Sequence, residues 1–165
     1  MTADGAPGSG AAIERKLGPG WEDKLDAVLN RQLELYGELD ALCDRQRGLI
    51  EAGDADRLMC VLSERSRVVE EITDVVDRFR PFAETWAEVR GALGEGALRD
   101  VQRRLDAVAS LAASIAERDE EDTRAIAEKR DAFADELAGL GRKRQAARAY
   151  GGSRSAGPRF QDREG

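Results

Sequence analysis

Carboxylates are the only potentially reactive side chains present in quantity: 33 Asp and Glu stand beside 26 Lys and Arg, two Cys and no His. Without His, the commonest general base and the commonest metal ligand are both missing. The densest acidic group is Asp119-Glu120-Glu121-Asp122. On a helix, successive residues point about 100° apart, so four adjacent carboxylates diverge and cannot converge on one ion. Nor do they have the alternating ligands and central Gly of a calcium loop. Their expected role is a solvated, salt-bridged helix face. Ser63, Ser66, Ser110 and Ser114 lie inside helical runs with no base in a nucleophile motif, and the glycines form neither GxGxxG nor a P-loop. No catalytic, cofactor or metal site is expected, and therefore no enzyme. Cys43 and Cys60 lack CxxC spacing and are expected as buried, reduced thiols. If Gly53 turns a helical hairpin, they lie at similar heights, where an oxidising compartment could join them.

The elements that would position any functional group are helical throughout. Charged residues make up 36% of the chain and aromatics 5%, the bias of long helices or coiled coils. From Trp21 the packing positions run Trp21, Leu25, Val28, Gln32, Leu35, Leu39, Leu42, Gln46, Leu49, alternating steps of four and three. That is the seam of helices packed side by side. Leu29, Tyr36, Cys43 and Ile50 widen it, so more than one neighbour is expected. Gly53 supplies a left-handed cap and Asp54 caps the next helix. Its seam is Leu58, Val61, Arg65, Val68, Ile72, Val75 and Phe79, widened by Leu62, Val69 and Val76. So short a connection makes the pair antiparallel. Pro81 is expected to kink or end this arm at Arg80.

Phe82, Trp86, Val89 and Leu93 give a shorter apolar stripe, and Trp21 and Trp86 read as packing residues at helix ends. A third long helix begins near Ala97, with Leu98, Val101, Leu105, Val108, Leu111 and Ile115. It turns polar around Asp119–Asp122, where it could loosen, and resumes at Ile126, Phe133, Leu137 and Leu140. The fold class expected is all-α: an elongated antiparallel helical hairpin plus a third long helix, a coiled-coil-like bundle with flexible termini. Residues 1–20, rich in Gly and Ala, form a flexible N-terminus. Residues 21–149 form the helical domain, with helices over 21–52, 54–80, 82–93 and 97–149. Residues 150–165 form a flexible basic tail.

No apolar run approaches the roughly 20 residues needed to span a bilayer, and Met1–Gly20 lacks the features of a secretory signal. A cytoplasmic location without stable membrane insertion is the expectation. The formal charge of -7 is uneven: Arg142, Lys143, Arg144, Arg148, Arg154, Arg159 and Arg163 face only Asp162 and Glu164 in the last 24 residues. Three readings suit this basic end. Its cations favour the negative pole of a helix; together with Tyr150 or Phe160 they could dock on an acidic partner; or they could bind RNA. The last is disfavoured because stacking aromatics are not interleaved with the basic residues, so no nucleic acid is expected.

The run Leu35-Tyr-Gly-Glu-Leu-Asp-Ala-Leu-Cys-Asp-Arg-Gln-Arg-Gly-Leu-Ile-Glu-Ala-Gly-Asp-Ala-Asp-Arg-Leu58 resembles the flagellar export chaperones of the FlgN family. In these a leucine-rich helix ends at a Gly-Asp turn before a second helix dense in Leu and charge. Ser63-Glu-Arg-Ser-Arg-Val-Val-Glu-Glu-Ile72 continues in that style. Ala149-Tyr150-Gly151, then Arg159-Phe160-Gln-Asp162 and the final Glu164-Gly165, are similar to the family's tail. The resemblance covers residues 21–165.

It implies a cytoplasmic chaperone of flagellar type III export. Such a protein binds the C-terminal helices of hook–filament junction proteins, prevents premature assembly and delivers them to an export gate component. The partner-binding residues it implies are Ile126, Phe133, Leu137, Leu140 and Tyr150. Packing of Phe133, Leu137 and Leu140 on the hairpin is the competing reading of the same residues. A homodimer is compatible with either. Two other functions stay open: a structural coiled-coil oligomer without a client, and a basic-tailed adaptor for RNA or anionic membrane.

Overall fold

The computed structural model describes residues 8–152, and among them every regular element is a helix. The order is α1 (Gly8–Leu17), α2 (Trp21–Ala52), α3 (Ala55–Glu84), α4 (Trp86–Ala92) and α5 (Glu95–Gly152). The chain divides into two compact units, Met1–Asp122 and Thr123–Gly165.

In the first unit, α2 and α3 form the expected antiparallel hairpin. Gly53 closes α2 in a left-handed conformation (φ 71°), its N–H donating to Ile50, while Asp54 N–H donates to the Leu49 carbonyl at 3.1 Å. Asp54 Oδ1 then accepts from Arg57 N–H at 3.1 Å, satisfying one of the unpaired amides at the start of α3. This single Gly-Asp pair ends one helix and starts the next.

Two apolar clusters hold the unit. One joins Leu35, Leu39, Leu42 and Cys43 of α2 to Val61, Val68, Ile72 and Val75 of α3 and Ile115 of α5. The other gathers Ile13, Trp21, Leu25, Leu29, Phe82, Val89 and Val101, so all five helices contribute to it. On α2, Leu29, Cys43 and Ile50 are buried, which makes this helix the central one, with neighbours on two sides. Cross-helix ion pairs flank the clusters: Arg31 to Glu71 at 2.6 Å, Arg104 to Asp26 at 2.5 Å, and Arg118 to Asp44 at 2.7 Å.

Several expectations need correction. Residues 1–20 were expected to be loose, but Gly8–Leu17 is helical because Ile13, fully buried, anchors α1 in the second cluster. Residues 1–7 lie outside the described residues. Pro81 does not end α3 at Arg80. The helix runs on to Glu84 with Phe82 buried, so core packing outweighs the missing amide and the ring's steric conflict with the preceding turn. Cys60 is exposed, Cys43 is buried, and both are free. Leu62, Val69 and Val76 do not widen the packed seam of α3, because α5 covers α2 and α3 on the other side; all three are exposed. Tyr150 lies within α5, which continues to Gly152, so the tail does not begin at 150.

Candidate partner-binding surface

α5 begins as part of the packed unit, burying Val101, Val108 and Ile115 at seven-residue steps. The fourth residue of that series is Asp122, only 4% exposed. Its carboxylate accepts from Gln46 Nε2 at 2.8 Å and from Arg47 Nε at 3.2 Å. Arg47 also reaches Glu121 at 2.5 Å. Arg65 donates to Gln46 Oε1 and, at 2.8 Å, to Asp119. Asp119–Asp122 is therefore not simply a solvated face. Two of the four carboxylates turn inward and complete a polar layer across α2, α3 and α5. The side-chain hydrogen bonds to Glu121 and Asp122 push the Arg47 guanidinium above its ordinary value, and the bond to Asp119 does the same for Arg65. These cations keep their charge at any pH the fold survives. Every formal charge in the layer has an opposite partner, the condition under which buried charge is tolerated.

In the second unit, by itself, α5 presents large apolar side chains to solvent. Ile126, Phe133, Leu137 and Leu140 are all exposed, Phe133 to 63%. At about 100° per residue, the four fall within a stripe roughly 60° wide. Tyr150, 82% exposed, points about 110° away from the centre of that stripe. The structure thus brings together four of the five residues expected to bind a partner and leaves Tyr150 on another face. Ile126, Phe133 and Leu140 continue, at seven-residue steps, the series Leu98, Leu105, Ala112, Asp119. Sequence periodicity runs through both units; the first unit half-buries this row, and the second leaves it exposed.

Beyond the stripe, Arg142, Lys143, Arg144 and Arg148 are exposed in the last turns of α5, where a helix C-terminus attracts cations. Phe160 and the basic residues from Arg154 onward lie outside the described residues. A second exposed apolar row runs along α3, where Met59, Leu62, Val69 and Val76 stand at steps of three and seven. Periodicity marked three of these as packing residues. Met59 fell outside that pattern, and its only sequence signal was its place three residues before Leu62.

No helix is long and apolar enough to cross a membrane, and no group of three or more Cys, Asp or Glu is placed to hold a metal ion among the described residues. Compared with protein-family models, with curated proteins and with solved structures, the chain matches none.

Proposed function

We propose that this chain is a non-catalytic chaperone of amphipathic helices, working in the cytoplasm in flagellar type III export. Its clients would be the C-terminal helices of hook–filament junction proteins, captured on α5 and handed to an export gate component. The observation that carries this reading is the exposed stripe Ile126, Phe133, Leu137 and Leu140. A single helix cannot bury such a row against itself, and a second amphipathic helix laid along it removes both apolar faces from water. Each large side chain covered adds on the order of 1.5–3 kcal/mol. Four side chains, less the cost of association, leave a reversible complex, which suits temporary custody. The Gly-Asp hairpin and its family resemblance supply the identity of the client, and the basic end of α5 supplies a place for acidic flanks of that client.

Titrating the full chain with C-terminal helical segments of hook–filament junction proteins tests this. The expected result is a 1:1 complex that Phe133→Glu with Leu137→Glu abolishes. Absence of any complex, with both proteins folded at high concentration, removes the chaperone assignment.

The exposed row on α3 favours a second reading, a structural oligomer. It predicts that Leu62→Glu with Val69→Glu converts an oligomer to a monomer in sedimentation, with no effect of the α5 changes.

A further inference from the structure

Where the end of α1 meets the start of α2 and the end of α3, the first unit has an open cleft of about 480 Å³. It takes no part in the α5 stripe. Its volume lies within the roughly 300–1,000 Å³ of small-molecule sites, which are characteristically apolar with a few placed polar groups. Leu17, Val28, Pro81 and Phe82 provide the apolar surface, and Lys16, Lys24 and Arg78 provide all the charge. No carboxylate lines it.

The cations differ in what they already hold. Lys16 is committed to Glu88 of α4 at 2.5 Å. Neither Lys24 nor Arg78 pairs with a carboxylate among the described residues. For Lys24 this is a departure from its own helix: Arg31, Arg45 and Arg47, the other cations of α2, each grip an acidic side chain of a neighbouring helix. Lys24 instead lies over the left-handed turn that ends α1, its Nζ 3.4 Å from where a Cβ on Gly18 would sit. A Cβ there would meet the ammonium at ordinary contact distance; it is the left-handed backbone (φ 84°) that favours Gly at this turn.

We propose that this cleft binds a medium-chain aliphatic carboxylate. The methylenes lie on Val28, Pro81 and Phe82, and the carboxylate is held between the ammonium of Lys24 and the guanidinium of Arg78. A guanidinium offers paired donors matched to the two oxygens of a carboxylate. The apolar floor gains free energy with each methylene covered. An uncharged ligand would leave both cations without a partner, and a polyanion would waste the floor. The inference is independent of client capture, since it uses no residue of α5.

The test is titration of the full, isotope-labelled chain with sodium octanoate below its micelle-forming concentration, followed through backbone amide resonances. Saturable 1:1 shifts are expected at Ala27, Val28, Arg78 and Phe82. Lys24→Gln with Arg78→Gln should weaken binding ~10-fold or more, and octanol, with the same tail and no charge, should bind weaker by a similar factor. Ala27 lines the cleft from an exposed position, so Ala27→Trp should fill it and remove the saturable shifts. All three substituted positions are exposed, and an unchanged circular dichroism spectrum verifies the fold. Phe133→Glu with Leu137→Glu should bind octanoate as the parent does. Shifts that never saturate, shifts confined to residues 126–140, or equal affinity in the charge-neutralised or Trp variants would each overturn the proposal.

Discussion

Cys43 and Cys60 are chemically identical in sequence and differ entirely in place. Burial pushes the Cys43 thiol above its ordinary value of 9.0, while Cys60 stands exposed on α3. A thiol reagent such as iodoacetamide should therefore modify Cys60 alone in the folded protein, with Cys43 reacting only after denaturant is added. Mass spectrometry of the labelled peptides reads this directly. The folded state holds the Cys43 proton to higher pH than the unfolded chain does. This contribution to stability is thus complete below 9.0 and is lost as pH rises beyond it. Urea midpoints on either side of that value should fall toward the alkaline side. Asp122 makes the second case. Asp122→Ala leaves the Gln46 Nε2 donor without its acceptor and Arg47 with Glu121 alone, at a cost of about 1–3 kcal/mol in urea unfolding. Its burial could not be read from the sequence. Four adjacent carboxylates look like a wet face until α2 is known to present Gln46 and Arg47 opposite two of them. Of the two glutamines on the α2 seam, Gln46 meets polar partners across it, whereas the buried Gln32 carbonyl oxygen has none among the described residues.

The ends of α2 were easier to foresee than its neighbours. α2 was expected over 21–52 and occupies Trp21–Ala52, because Gly20 and Gly53 both take left-handed conformations at its ends. The Gly53-Asp54 turn has a direct test: Asp54→Ala should cost about 1 kcal/mol, read from chemical denaturation, by removing the acceptor for Arg57 N–H. Periodicity, in contrast, says that a face is apolar and not what covers it. On α2 the widening residues Leu29, Cys43 and Ile50 are buried, whereas on α3 Leu62, Val69 and Val76 are exposed. The same pattern on two adjacent helices thus has opposite outcomes, decided by the side on which α5 lies. On α5 the stripe from Ile126 to Leu140 was open to both readings and is exposed. Phe133→Glu with Leu137→Glu should accordingly leave the melting transition of the free protein within about 0.5 kcal/mol of the parent, as exposed substitutions do. A loss of client binding with no loss of stability separates a binding face from a packing face.

At the level of the entire chain, the division at Asp122 falls where the seam of the third helix turns polar, although α5 is one helix from Glu95 to Gly152. Both apolar clusters draw all their members from residues before it. A chain stopped after Asp122 should therefore unfold cooperatively with a urea midpoint unchanged from the parent, while losing client capture. A broadened transition in that truncated chain would mean that residues beyond Asp122 contribute to the packed unit. The all-helical class followed from the absence of strand-like alternation and from seams sustained over nine positions in α2. α1 escaped notice because Ile13 and Leu17 are its only large apolar residues in a Gly- and Ala-rich stretch, and only their partner cluster gives them meaning.

The polar layer also governs which changes in length α5 tolerates. Ahead of Asp122, inserting one residue would rotate its carboxylate about 100° out of the layer, together with every step of the series between the insertion and Asp122. A whole seven-residue repeat would preserve phase but carry Asp122 about 10 Å along the axis, so Gln46 and Arg47 would keep it only if α2 and α3 gained a repeat as well. Downstream of Asp122, α5 finds no such vernier within its own unit, so single insertions or deletions there would rotate the exposed stripe while sparing the fold. Variation in length should thus accumulate on one side of a single aspartate.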